Sequence, residues 1–270
     1  MNAGIPLAGA RILLTGASSG IGAALAPMLA ARGALLGLVA RRRDRLEEVL
    51  AECERHTHGS RVFVADLADL EGAEAVAREA WDAFGGLDVL VNNAAMPRRK
   101  HLTELTPADV ARVMDVNFHS PVRMGLALLP RMLERRSGMI VNVSSTGGRL
   151  GIVHEAAYCA AKFALCGWSE VMAIDLAGSG VQVKLALPGP IDTEIWETKE
   201  GDVPAVYQGP LTPVDECAAA ILAAIEGPGF EHYVPAALPN GLEQKALVIG
   251  KTSDVDTFLS SMSDLSRPET

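Results

Sequence analysis

The stretch Arg11-Ile12-Leu13-Leu14-Thr15-Gly16-Ala17-Ser18-Ser19-Gly20-Ile21-Gly22 constrains the chain more than any other. A short apolar run ends in a glycine-rich turn, and an Ala/Leu-rich helical pattern begins at once. Strand, tight turn, helix is the order expected where a helix N-terminus receives a phosphate. Glycine is needed there because a side chain would hold the backbone away from the anion, and because tight turns call for positive φ. The glycines are spaced Gly16-x-x-x-Gly20-x-Gly22, which differs from the G-x-G-x-x-G fingerprint. The competing reading is an ordinary strand-to-helix turn, since a lone glycine motif is weak evidence.

Short apolar runs alternate with helical patterns along the rest of the chain. The pattern predicts strands over 10–15, 34–40, 61–65, 87–91, 139–143, 181–187 and 231–234. It predicts helices over 20–32, from just after Arg45 to about 55, from after Asp69 to 84, from Pro107 to 136, over 155–177 and over 213–226. Gly33 ends the first helix, and Pro27 inside it is expected to kink it. Thr106 before Pro107 reads as an N-cap followed by proline at the first helical position, and a bend is expected near Pro121. Alternation of this kind makes an α/β fold: a Rossmann-like doubly wound parallel sheet of about seven strands with helices on both faces. With 270 residues, 49% of them apolar, the chain can bury a large core. No linker or repeat divides it, so 1–240 reads as a single domain. Residues 241–270 read as a C-terminal extension, partly disordered over the last twelve or so residues.

A net charge of −9 argues against nucleic acid and anionic membranes as partners. Cys53, Cys159, Cys166 and Cys217 show no C-x-x-C spacing and read as reduced, packed thiols. No His/Cys/Asp/Glu spacing suggests a metal site, and His154, Glu155 and Cys159, near Tyr158, read as candidates to line the pocket. No apolar run reaches the ~18 residues needed to cross a bilayer. The default reading is a cytoplasmic protein.

In sheets of this type ligands sit at the carboxyl ends of the strands. The polar residues at those predicted ends are Thr15, Asp66, Asn92, Ser144, Ser145 and Pro188-Gly189. Their convergence is stronger evidence than any single motif. Tyr158 and Lys162, four apart, share one helix face. A free tyrosine titrates near ~10, and a nearby ammonium favours the phenolate, so the pair predicts a lowered phenol suited to proton exchange.

These residues together resemble a short-chain dehydrogenase/reductase. The resemblance is carried by Thr15-Gly16-x-x-x-Gly20-Ile21-Gly22, Asp66, Asn92-Asn93-Ala94, Asn117, Ser145, Tyr158-x-x-x-Lys162 and Pro188-Gly189, over residues 10–195 in the family's order. It implies Tyr158 as the proton donor in carbonyl reduction and the base in alcohol oxidation, with hydride passing between nicotinamide and carbonyl carbon. It implies Ser145, thirteen residues before Tyr158, as the group holding the substrate oxygen. It implies Asn117 as the residue holding a helix open around a water chain to Lys162. The implied cofactor contacts are Gly16, Ser18, Ser19, Gly20, Ile21 and Gly22 in the turn. To these it adds Asp66 with Leu67 at the adenine, then Asn93, Ala94, Tyr158, Lys162, Pro188, Gly189, Ile191 and Thr193. Ala95 departs from the family, which has glycine there, and puts a methyl near the expected nicotinamide.

Cofactor choice is read at the end of the second strand, where an acidic residue would bind the ribose 2′-hydroxyl of NAD. Here Ala40 is followed by Arg41 and Arg42, and a guanidinium pairs a 2′-phosphate. The reading is NADP(H) preferred with NAD(H) possible; Arg41 is favoured for the phosphate, while Arg43 and Arg45 read as solvated charges. Helices around Tyr158 and over 124–133 are apolar on more than one side, and the family pairs such helices, implying a homodimer or homotetramer. Residues 194–211 are expected to be a mobile lid. Ile195, Trp196, Val203, Val206 and Tyr207 in it suggest an apolar or aromatic carbonyl substrate. A non-catalytic dinucleotide-binding regulator on the same fold is the alternative from another class. An epimerase or dehydratase is a third reading, for which the region after Pro190 leaves little room.

Overall fold

Leu13 and Leu14 are neighbours in β1 (Arg11–Thr15), and alternation sends them to opposite sides of one sheet. The structure is a computed structural model and describes residues 4–238 and 241–264. On Leu14's side lie α1 (Gly20–Ala31), α2 (Arg43–Glu54) and α7 (Val214–Glu226), whose Leu25, Leu29, Leu46 and Ile221 are fully buried. On Leu13's side lie α3 (Leu70–Phe84) and α5 (Ser120–Glu134), packed through Val76, Met124 and Leu128. Burying one such leucine contributes about 1.5–3 kcal/mol, so the two layers carry most of the favourable burial.

The remaining strands are β2 (Leu35–Ala40), β3 (Arg61–Val64), β4 (Val89–Asn92), β5 (Gly138–Val143), β6 (Val181–Pro188) and β7 (Glu231–Val234). All pair in parallel, in the order β3-β2-β1-β4-β5-β6-β7. The fold is therefore the Rossmann-like doubly wound sheet in a single domain. The order reverses direction at the β1/β4 pair, which opens a crevice at the strands' carboxyl ends.

Two expectations change. The helix predicted from Pro107 to 136 is α4 (Pro107–Met114), a π turn (Asp115–His119) and α5. The irregularity precedes Pro121 because that residue has no N–H for the Asn117 carbonyl, and Ser120 donates five residues back to Asp115. The tail expected to lack order from about 259 carries α9 (Val255–Asp264), after α8 (Gln244–Ser253); its last six residues lie outside those described. α8 reaches the domain through buried Gln244, while α9 packs beside α8 with Val255 and Leu259 exposed. Pro27 is absorbed inside an unbroken α1. α6 (Ala156–Asp175) completes the layer that carries Tyr158 and Lys162.

Candidate active site

The turn after β1 is bare backbone shaped by its neighbours. Gly16 and Gly20 have φ of 68° and 53°, which side chains disfavour. A Cβ on Gly16 would lie 2.8 Å from Ala94 Cα, and one on Gly22 would lie 2.3 Å from Gly16 O. Thr15 Oγ1 fastens this turn to the end of β4, accepting from Asn93 N at 2.9 Å and Ala94 N at 3.0 Å. Asn93 Nδ2 donates to Thr15 O at 3.0 Å. Ser19, at the start of α1, makes no capping bond, so the helix's first N–H groups face the crevice without a side-chain acceptor. This cradle fits the pyrophosphate of a dinucleotide.

Across the crevice stand the four predicted catalytic residues. Asn117 lies in the π turn, fully buried, and clasps one residue: its Oδ1 accepts from Met96 N at 2.8 Å and its Nδ2 donates to Met96 O at 2.9 Å. Ser145 Oγ accepts from Gly147 N at 3.0 Å and reaches Pro188 O at 3.5 Å. A Cβ on Gly147 would lie 3.3 Å from Tyr158 Cε1 and 3.4 Å from Ser145 Oγ, so the two hydroxyl-bearing groups share one corner. Lys162 is buried; its Nζ donates to Val143 O at 2.8 Å and sits 5.7 Å from the Tyr158 ring centroid. Ser144 points away, donating to Lys162 O at 3.0 Å, which leaves Ser145 as the serine beside Tyr158.

Burial works against the expected lowering of the phenol. It pushes Tyr158 above its usual range, with the Ser145 hydroxyl pulling the other way. Burial also pushes the Lys162 ammonium down to about 8. Tyr158 is therefore held protonated, beside a lysine that carries charge only up to mildly basic pH.

The corner beyond the glycine turn is built from long side chains. Arg42 Nη2 donates to Ser19 Oγ at 2.8 Å and lies 3.4 Å from Ser18 Oγ. Arg41 is exposed beside it, so the structure brings Arg42 and not Arg41 to the two serines. Arg45, expected as a solvated charge, pairs with Glu194, while Arg43 pairs with Glu47 on its own helix. Asp66 is exposed after β3, accepts from Ala68 N at 3.1 Å and faces Arg112 at 3.7 Å; Leu67 is buried beneath it. The cap of α3 is Asp69, not Asp66. Across the turn, a Cβ on Gly20 would lie 3.2 Å from Thr193 Cγ2. Ile191 is buried and its carbonyl accepts from Trp196 Nε1. Pro188 O receives the Ser145 and Thr146 hydroxyls, and Gly189 N donates to Val234 O at 3.2 Å. Ala95 is exposed in the loop after β4.

A family model described as short chain dehydrogenase matches residues 10–203. The chain belongs to the short chain dehydrogenase family. An uncharacterised oxidoreductase, YxnA, of Bacillus subtilis is 35% identical over 229 residues, 83% of this chain and 64% of that protein. A D-threitol dehydrogenase of Mycolicibacterium smegmatis is 34% identical over 214 residues, 77% of this chain and 82% of its own. A short-chain dehydrogenase of Sphingobium yanoikuyae, solved in complex with NADPH, superposes with a TM-score of 0.77 at 28% identity, covering 92% of this chain and 95% of its own. A Burkholderia cenocepacia short chain dehydrogenase in complex with NADP gives 0.77 at 28% identity over 96% and 99%.

Within this short chain dehydrogenase fold, several polar pairings escape sequence reasoning. Asn92 Nδ2 donates to Asn142 Oδ1 at 2.8 Å, and Asn142 Nδ2 to Ser169 Oγ at 2.8 Å, a buried ladder behind the site. Arg99, only 2% exposed, donates to Glu155 Oε1 at 2.7 Å and to Ile195 O, and lies over Trp196. Burial pushes the Glu155 carboxyl up against the pull of Arg99. Gln244 of α8 is fully buried; a Cβ on Gly189 would lie 2.8 Å from its Oε1. Among the described residues no group of His, Cys, Asp and Glu could hold a metal ion.

Proposed function

We propose that this oxidoreductase is an NADP(H)-dependent carbonyl reductase/alcohol dehydrogenase acting between a ketone and a secondary alcohol. The observation that carries the reading is the shared corner of Ser145 and the buried, protonated Tyr158, with buried Lys162 behind it, facing the glycine cradle. When bound, the nicotinamide supplies or accepts the hydride. Ser145 Oγ holds the substrate oxygen as charge develops there, and Tyr158 Oη delivers its proton to that oxygen. Lys162 stabilises the phenolate left behind. Asn117 positions Met96 and the loop after β4. The intact set argues against a non-catalytic dinucleotide regulator, which has no use for a placed proton donor.

Arg42 with Ser18 and Ser19 would take the 2′-phosphate, and Asp66 the adenine side; neighbours that hold NADPH or NADP support that choice. NADH is the weaker alternative. The apolar wall of the lid, where Trp196 and Tyr207 rings lie 5.8 Å apart, favours an apolar or aromatic carbonyl compound. Phe163, Val171 and Ile174 form an exposed stripe on α6, with Leu126 and Leu133 exposed on α5. Burial within one chain does not account for them, and pairing in a homodimer or homotetramer would. Four free buried thiols suit a reducing, cytoplasmic setting, and among the described residues no helix is long and apolar enough to cross a membrane. The test is NADPH oxidation against a panel of ketones, aldehydes, steroids and sugars. Turnover of a ketone supports the reading; cofactor binding without turnover of any carbonyl points to the regulator.

A further inference from the structure

Glu194 opens a three-residue 3-10 turn, Glu194–Trp196, that begins the lid loop. Its carboxylate does not face solvent alone. Arg42 Nη1 and Nη2 each donate to Oε2 at 3.2 Å, and Arg45 Nη1 donates to Oε1. The same Arg42 Nη2 donates to Ser19 Oγ at 2.8 Å and lies 3.4 Å from Ser18 Oγ. Two guanidiniums thus meet one carboxylate that is contributed by a loop about 150 residues away in sequence, and Arg42 also reaches the two serine hydroxyls beside it. Those groups are what a phosphate monoester would take: planar cationic forks and hydroxyl donors. The two arginines hold the Glu194 carboxyl below its usual range, Arg45 most strongly, so it is an anion throughout the neutral range.

We infer that Glu194 is an internal stand-in for the 2′-phosphate of NADP(H) and a determinant of cofactor choice, occupying the Arg42 and Arg45 donors until the phosphate displaces it. This rests on the NADP(H) reading above. Both anions cannot use the same forks, and like charges at that distance repel. The carboxylate therefore taxes 2′-phosphorylated ligands and leaves ligands without that phosphate untouched. The turn keeps a second anchor when Glu194 lets go. Arg99 holds Ile195 O from the other side and is itself held by Glu155, three residues before Tyr158. Displacement of Glu194 would then loosen the lid's cofactor end while its substrate end stays fixed beside the catalytic tyrosine.

The opposite possibility is that Glu194 merely organises Arg42 and Arg45 for the phosphate. The two make opposite predictions for Glu194→Gln, which keeps the shape and removes the charge. The probes are adenosine 2′,5′-bisphosphate and adenosine 5′-monophosphate, titrated by calorimetry against the full chain, so that no substrate is needed. A stand-in predicts that Glu194→Gln binds the bisphosphate roughly three- to tenfold more tightly, the scale of one or two partly exposed ion pairs. Monophosphate affinity should stay within about twofold, which also shows the variant is folded. Unchanged or weaker bisphosphate binding overturns the inference while a parent that prefers the bisphosphate upholds the NADP(H) reading. A parent indifferent to the 2′-phosphate overturns that reading; the stand-in then survives only if Glu194→Gln becomes selective, and is overturned if it stays indifferent.

Discussion

The wall that carries Tyr158 and the corner that carries Arg42 face the same crevice but are built in opposite ways. On the wall, Asn117 and Lys162 are 0% and 1% exposed, and each side chain grips backbone: Met96 for one, Val143 O for the other. At the corner, the Arg42 and Glu194 side chains are 41% and 39% exposed and grip each other. Val143 is fixed by the register of β5 and Met96 is clasped on both its N–H and its carbonyl, so the wall has one geometry. Partly exposed ion pairs contribute only about 0.2–1 kcal/mol each. The corner can therefore be retuned without disturbing the chemistry.

The largest effect that would sharpen this contrast is on the wall. Lys162→Met should lower turnover by at least ~100-fold with either cofactor, the scale of a lost acid–base partner. Near-normal turnover with NADPH would place the proton chemistry elsewhere. At the corner, Arg42→Ala should lower kcat/KM for NADPH by roughly ten- to a hundredfold, as one charge-assisted bond of about 1.5–3 kcal/mol implies. The value for NADH should barely move. A larger loss from Arg41→Ala than from Arg42→Ala would show that the corner rearranges around the cofactor.

A third effect separates the regions by pH. Lys162 is pushed down to about 8 and Tyr158 upward, so on raising the pH the lysine loses its charge first, while the phenol keeps its proton. Carbonyl reduction should fall above pH ~8, by about tenfold per unit once the lysine is neutral. Arg42→Ala should lower the curve without moving that limb. A profile flat to pH 10 would contradict the buried-lysine account. The smallest effect concerns residues 197–211, beyond the turn that Arg99 anchors. Their amides should exchange faster than those of β5 and slow when NADPH and a substrate are both present. Equal exchange in both conditions would remove the lid.

What could be read from the sequence follows the same divide. Gly16, Gly20 and Gly22, the Tyr158–Lys162 spacing and the serine thirteen residues earlier are close in sequence or sit at strand ends, where backbone rules act. The parallel sheet was legible from alternating apolar runs for the same reason. Glu194 with Arg42, Arg99 with Glu155, and Gln244 over Gly189 join distant positions through side chains, and such pairing leaves no periodicity. Arg45 read as a surface charge because nothing local marks its partner. At Tyr158, spacing reveals Lys162 but not the burial around both groups, which pushes the phenol the other way. The Asn92–Asn142–Ser169 ladder was hidden because an asparagine inside a strand gives no sign of which neighbour it meets.

On the proposed reading the buried wall performs the chemistry and the exposed corner selects the cofactor. The most direct measurement is kcat/KM for NADPH and NADH, for the parent and for Tyr158→Phe, on one ketone that the parent reduces. The parent should prefer NADPH by roughly ten- to a hundredfold. Tyr158→Phe should lose at least ~100-fold with both cofactors and keep the same preference between them. Near-normal turnover in Tyr158→Phe, or a loss confined to one cofactor, would contradict the account.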